Sequence, residues 1–298
     1  MRFVLAAVAV ALLQTPTFQS DPPLKCDACD EWNKAREPFK VFGNTYYVGT
    51  DGLSALLVVG DRGLILLDGA LPQSAALIDA NIRKLGFKTE DVKLIVNSHG
   101  HYDHAGGINA LQRASGATVA ASPSTASALR RGENTPDDPQ FGFGREANAF
   151  PAVRKVRVVK DGETLRVGNA AITATFTPGH TPGSTAWSWQ SCEGGRCLNI
   201  VYADSLTAVA APGFNYTADP KRVALFRRSI TRVAELPCDI VISTHPSATG
   251  LDDKIKKRAS LKAGEADPFV DGGCKAFAAR SMKALEARIA EETKRTKQ

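Results

Sequence analysis

The sequence lacks the features that would mark a membrane or nucleic-acid protein. After Leu13 no apolar stretch approaches the ~20 residues that a helix needs to cross a bilayer. Aromatic residues make up only 7% of the chain, and they do not interleave with the basic stretch from Lys254 to Lys297. That stretch therefore reads as a solvated helical face, which speaks against nucleic acid as a partner. The formal charge of +6 can still draw small anionic molecules toward the surface. Histidine is scarcer still, with five in 298 residues, so every one can be accounted for.

The one notable apolar run, Phe3 to Leu13, follows Arg2 and gives way to Gln14, Thr15, Gln19 and Ser20. It is too short to span a bilayer and has the order of regions of a secretory signal. We expect residues 1–20 to be a signal peptide and residues 21–298 to be a single exported domain, periplasmic or secreted. No Ala-x-Ala site marks the cut. Six cysteines suit an oxidising compartment. Of fifteen possible pairings, two are local: Cys26 with Cys29, and Cys192 with Cys197 across Glu193-Gly194-Gly195-Arg196, which reads as a hairpin turn. Those two would leave Cys238 for Cys274. A thiolate zinc site from the same local pairs is the competing reading.

Three of the five histidines fall in Ser98-His99-Gly100-His101-Tyr102-Asp103-His104, and the others stand in Pro178-Gly179-His180-Thr181-Pro182-Gly183 and Ser243-Thr244-His245-Pro246-Ser247. Imidazole is the commonest metal ligand, and a carboxylate adds a harder oxygen. Leu94 to Ser98 reads as a buried strand, and the segment from Ala105 through Ile108, Leu111 and Gln112 as the opening of a helix. The cluster thus lies on a strand-to-helix loop. Such a loop can point His99 and His101 one way and Asp103 and His104 another, toward two adjacent cations.

Strand-like runs at Thr45–Gly49, Ser54–Val59 and Gly63–Asp68 precede a helical pattern from Gln73 to Leu85. A helix reaching about Ala114, a strand at Thr118–Ala120 and a helix at Ser122–Leu129 follow the cluster. Residues 131–152, rich in Pro, Gly, Asn and Asp, form a candidate loop over a site. Strands resume at Lys155–Val159, Thr164–Val167, Ala171–Thr177, Ser184–Gln190 and Leu198–Ala203. A helix at Pro220–Glu235, a strand at Ile240–Ser243 and terminal helices complete the chain. Strand-rich blocks each closed by helices predict an α/β fold with two sheets face to face and helices outside. His180 and His245 each end a strand-like run, so ligands from several strand ends can meet at one edge.

Taken together, Asp68, the His99/His101/Asp103/His104 cluster, His180 and His245 resemble the motif set of the metallo-β-lactamase superfamily over nearly the whole mature chain. Within it the chain is most similar to the third subclass of true metallo-β-lactamases, because Tyr202-Ala203-Asp204-Ser205-Leu206-Thr207 places a serine where other subclasses carry a thiolate. Further shared stretches are Gly43 to Gly49, Asp138-Pro139-Gln140-Phe141, and Cys238-Asp239-Ile240 leading to His245-Pro246-Ser247. The Cys238–Cys274 bridge is also a feature of that subclass, whereas the Cys26–Cys29 pair is a departure.

The resemblance implies an αββα sandwich with two zinc ions (Zn2+) per chain. His99, His101 and His180 would hold the first ion, and Asp103, His104 and His245 the second. It further implies hydrolysis of a β-lactam amide by a metal-bound hydroxide that Asp103 helps to orient. Ser205, Thr207 and Gln140 would contact the substrate, and Asp68 would tie the metal loop through hydrogen bonds without ligating. The expected partner is a small-molecule β-lactam met by a monomer. Two alternatives stay open. One is a lactonase or glyoxalase-like thioesterase of the same superfamily, with Asp204 as a bridging carboxylate. The other is a non-catalytic periplasmic zinc-binding protein, against which stands the count of three protein ligands per metal. Iron or manganese could replace zinc.

Overall fold

A computed structural model describes residues 18–296, so most of the expected signal, including Phe3 to Leu13, lies outside the described residues. Leucine, isoleucine and valine crowd the central strands because both faces of each sheet are covered. Along Leu56–Gly60, Leu56 and Val58 face one buried cluster while Leu57 faces another; along Gly63–Leu67, Ile65 and Leu67 part from Leu64 and Leu66 in the same way. A period of two with both sides apolar is the signature of a sheet buried on both faces.

Among the described residues, seven strands form the first sheet: β1 (Phe39–Phe42), β2 (Thr45–Tyr47), β3 (Leu56–Gly60), β4 (Gly63–Leu67), β5 (Val92–Val96), β6 (Thr118–Ala121) and β7 (Val156–Val158), in that spatial order. Pairing is antiparallel from β1 to β4 and parallel from β4 to β7. The second sheet holds β8 (Thr164–Val167), β9 (Ala170–Phe176), β10 (Thr185–Glu193), β11 (Arg196–Tyr202) and β12 (Ile240–Ile242), in the order β12-β11-β10-β9-β8. Only its β11–β12 pair is parallel.

Three apolar clusters define four layers. Between the sheets, Leu56, Ile65 and Val96 pack with Trp187, Ile200 and Ile242. Outside the first sheet lie Ile78 and Ile82 of helix Ser74–Lys84, with Ile108, Leu111 and Leu129. Outside the second lie Val223, Phe226 and Ile230 of helix Pro220–Glu235, with Phe277 and Leu285 of helix Cys274–Thr296. This is the expected αββα sandwich. The tryptophans sit between the sheets because each indole N–H finds an acceptor there: Trp187 Nε1 donates to Asn97 O at 3.1 Å, and Trp189 Nε1 to Thr45 Oγ1 at 2.9 Å.

All six cysteines pair as the sequence suggested, Cys26–Cys29, Cys192–Cys197 and Cys238–Cys274, which removes the thiolate zinc reading. Cys192 and Cys197 are cross-strand partners in the β10–β11 hairpin. No helix among the described residues is long and apolar enough to cross a membrane.

Three local expectations needed revision. Strand β1 was not foreseen; its four residues, Phe-Lys-Val-Phe, are interrupted by an irregular register between Lys40 and Phe42 and show no clean alternation. The segment 131–152 is not one long loop, since it contains short helical turns at Phe141–Phe143 and Arg145–Asn148. The metal loop likewise contains a single helical turn, Tyr102–Ala105.

Candidate metal centre

Strand direction explains why distant histidines meet. β4 and β5 run parallel, and β9, β11 and β12 also share one direction, because β10 lies antiparallel to both β9 and β11. The C-terminal ends of these strands release Asp68, the His99–His104 segment, His180, Asp204 and His245 respectively. Open α/β sheets present ligand sites at such carboxyl ends.

Two glycines let the loops close down. A Cβ at Gly100, between His99 and His101, would lie 2.5 Å from Ala128 Cβ of helix Pro123–Arg131. One at Gly179, just before His180, would lie 2.1 Å from the Phe226 ring. Neither approach leaves room for any side chain. Beneath them Asp68 occupies a left-handed backbone position, φ 60°, at the end of β4. Its carboxylate accepts from Asn97 Nδ2 (2.7 Å), Ser98 N (2.7 Å), Ser98 Oγ (2.7 Å) and Tyr202 OH (2.8 Å). These four bonds offset the strained backbone and tie the start of the metal loop to both sheets. Asp68 holds the loop in the manner expected of it.

The five imidazoles gather around His99. Ring centroids lie 4.7 Å from His99 to His101, 4.8 Å to His180 and 4.5 Å to His104, and 4.9 Å from His104 to His245. Two sets of ligand atoms fall within 4.8 Å of one another: His99, His101 and His180, and His99, Asp103 and His104. Asp103 Oδ2 lies 3.3 Å from His245 Nε2 and 3.2 Å from His104 Nε2. The structure therefore brings all six expected ligands together. One detail differs from the sequence reading: His99 is close to both sets, where the loop was expected to direct it to one side only.

The electrostatics are those of a site waiting for positive charge. Burial, together with the neighbouring imidazoles, depresses the His99 pKa well below the ordinary value and brings His180 down to about 3. Both are neutral, with lone pairs to give. Burial pushes against the charged form of Asp103, but His104 and His245 overcome it and hold the carboxyl well below the usual range. Burial likewise opposes charge on His104, and the Asp103 carboxylate outweighs it, so His104 is raised. His99 Nε2 and His104 Nδ1 are buried without any hydrogen-bond partner, and His104 Nε2 has only its 3.2 Å contact with Asp103. An orphaned buried nitrogen costs about 1–3 kcal/mol, and a divalent cation would offset that cost at each. The donor set of imidazoles and one carboxylate fits zinc.

Partners behind the rings decide which nitrogen faces inward. His99 Nδ1 meets Asp204 Oδ1 at 2.6 Å, and His180 Nδ1 meets Thr207 O at 2.8 Å. Each contact leaves Nε2 as the available ligand atom. Burial pushes Asp204 well above the usual carboxyl range and His99 well below its ordinary value. Asp138, from the loop after residue 131, lies behind His101.

The expected substrate residues are placed less uniformly. Ser205 is buried, with its hydroxyl 2.7 Å from Thr244 Oγ1. Thr207 is exposed beside His180, its hydroxyl 3.2 Å from Nδ1. Gln140 is half-buried, and its backbone N–H donates to Asp138 Oδ1 at 2.8 Å. Sequence reasoning missed three neighbours. Asp138 enters the sequence reading only as part of a shared stretch, Asp204 only as the bridging carboxylate of the alternative hydrolases, and Trp32, whose ring centroid lies 5.2 Å from that of His245, gives no signal.

Fold and site together define a metal-dependent hydrolase-type centre at the edge of an αββα sandwich. The family model described as the metallo-beta-lactamase superfamily matches residues 48–245, and the chain belongs to that superfamily. It is similar to the solved Rm3 metallo-beta-lactamase, with 49% identity and a TM-score of 0.85 over 90% of this chain and 99% of that one. It is also similar to MEM-A1, a subclass B3 metallo-beta-lactamase from a soil metagenome library, with 46% identity and a TM-score of 0.84 over 89% and 99%. Among curated relatives, the acyl-coenzyme A thioesterase MBLAC2 of Gallus gallus is 29% identical over 30% of this chain; the match spans 35% of that relative's length. The structural likeness supports a hydrolase of the subclass B3 kind.

Proposed function

We propose that the protein hydrolyses the amide bond of β-lactams in a periplasmic or secreted setting, as the likeness to subclass B3 enzymes suggests. The observation that carries this reading is the pair of ligand sets meeting at His99, with buried ring nitrogens that nothing in the chain satisfies. When bound, a pair of zinc ions supplies Lewis acidity and acidifies water enough to give a nucleophile at neutral pH.

The chain's own residues supply placement. Asp204 and Thr207 O hold the His99 and His180 rings with Nε2 inward, and Asp103 stands between His104 and His245, an ionised acceptor able to orient a water by hydrogen bonding. Asp68 fixes the loop so that these positions are set before substrate arrives. The exposed Thr207 hydroxyl is the donor best placed for a substrate carboxylate. Ser205, committed to Thr244, supports that strand end, and Gln140 is carried by the loop whose Asp138 lies behind His101. Three disulfides and no free cysteine accord with export.

A thioesterase reading with Asp204 as bridging group is less well supported, since Asp204 sits behind the His99 ring at Nδ1 and not among the converging ligand atoms. A hydrolysis panel of penicillin, cephalosporin, carbapenem, a glutathione thioester and a homoserine lactone, run with zinc-replete and chelated protein, tests the proposal. β-Lactam turnover that is lost on chelation and restored by zinc is the expected result. Robust thioesterase or lactonase activity without β-lactam turnover would refute it.

A further inference from the structure

His101 is the ring whose orientation the strand ends do not explain. It needs a partner on one nitrogen so that the other stays bare, and that partner comes from a distant segment. Its Nε2 lies 3.1 Å from Asp138 Oδ2 and 3.2 Å from Asp138 Oδ1, with both side chains buried. The same carboxylate accepts from Gln140 N at 2.8 Å and from Asn134 Nδ2 at 3.3 Å. Asp138 thus joins a ring of the metal loop to residues before and after it in the segment that carries Gln140.

We propose that Asp138 is a positioning residue with two linked tasks: it accepts the His101 Nε2–H, which leaves Nδ1 as the metal-binding atom, and it anchors the Gln140 loop to the first metal position. The arrangement is the reverse of that at His99 and His180, whose Nδ1 atoms are the partnered ones. Three rings on one cation therefore present two nitrogens of one kind and one of the other, and Asp138 sets the odd one. The inference rests on the reading of this centre as a metal site. It goes beyond that reading by coupling the order of a surface loop to the affinity of one particular cation position.

The competing account is that Asp138 only caps its own loop by accepting from Gln140 N, as aspartates commonly do in turns. The variant D138S separates the two, because a serine hydroxyl can still accept from Gln140 N but is too short to reach His101. D138N retains a carbonyl oxygen able to accept the Nε2–H. Metal-free wild-type, D138S and D138N proteins are titrated with Co(II), following the visible absorption of each binding step, and imidazole nitrogen NMR reports the His101 tautomer.

In D138S we expect the first-site step to weaken about 10- to 100-fold, the second-site step to stay in place, and the Nε2–H tautomer of His101 to lose its dominance. D138N should restore most of the first-site affinity. A D138S titration that overlays wild type, or one in which both steps weaken equally, would overturn the role assigned to Asp138. Wild-type protein that takes up no Co(II) would instead overturn the metal reading on which the role depends.

Discussion

The two halves of the metal centre are built differently. His99, His101 and His180 each have a protein acceptor behind the ring, namely Asp204, Asp138 and Thr207 O. In the other half, no acceptor stands behind the His104 ring, whose Nε2 meets only the Asp103 carboxylate, and His245 is 30% exposed with a longer contact of 3.3 Å from Nδ1 to Gly52 O. In the first half the fold chooses the tautomers before any cation arrives. In the second, the cation itself must organise the ligands, and that ordering is subtracted from its binding free energy. The first position should therefore fill at lower metal concentration than the second.

The largest test of that contrast removes a ligand from each half. His99→Ala deletes a ligand of the first half and should abolish turnover and empty the first position, measured by elemental analysis after dialysis. His245→Ala should lose only the second equivalent; if it empties both positions, the two halves are not separable as described. A smaller effect is expected from Asp204→Ala, which removes the acceptor behind His99 Nδ1 and with it the preference for the tautomer that ligates through Nε2. First-site affinity should fall about 10- to 100-fold with the second step unchanged. An unaltered first step would remove the basis for calling that half pre-organised.

The smallest effect lies away from the centre and calibrates it. Asp161 is partly buried, which raises its pKa, but the Arg232 ion pair and the Phe176 backbone N–H outweigh that and lower it below the ordinary value. A depressed carboxyl stabilises the fold above its unfolded-state pKa, and this contribution is lost as pH falls through the folded-state pKa. Because the pair is largely exposed, Asp161→Asn should cost less than about 1 kcal/mol at pH 7 and nothing once acid has protonated Asp161 in the wild type. Urea denaturation at both pH values checks this, and metal titration should be unchanged.

Much of this centre was legible because its ligands are a rare residue type at telling positions. Five histidines, three of them in one short loop and two at strand ends, leave little freedom once the strands are placed. The sandwich was legible because runs such as Leu64-Ile65-Leu66-Leu67 are apolar on both faces. The orienting groups were not legible. Asp138 lies in a polar loop where aspartate is ordinary, and only its distance to His101 reveals its use. Asp204 was visible, but its role depends on which side of a ring it approaches, and a sequence does not encode that locally. Strand β1 escaped because four residues with an irregular register carry no period.

The bonds of Asp68 have a consequence for how the protein comes to hold its metal. The carboxylate follows β4, the Asn97 and Ser98 donors follow β5, and Tyr202 ends β11 in the opposite sheet, so this knot closes only after the two sheets have docked. Before that, His180 and His245 are not held against the His99–His104 segment. A complete ligand set thus exists only in the docked molecule, and a cation that prefers this form adds to the free energy that separates it from the unfolded chain, by an amount that grows with the free metal in the compartment.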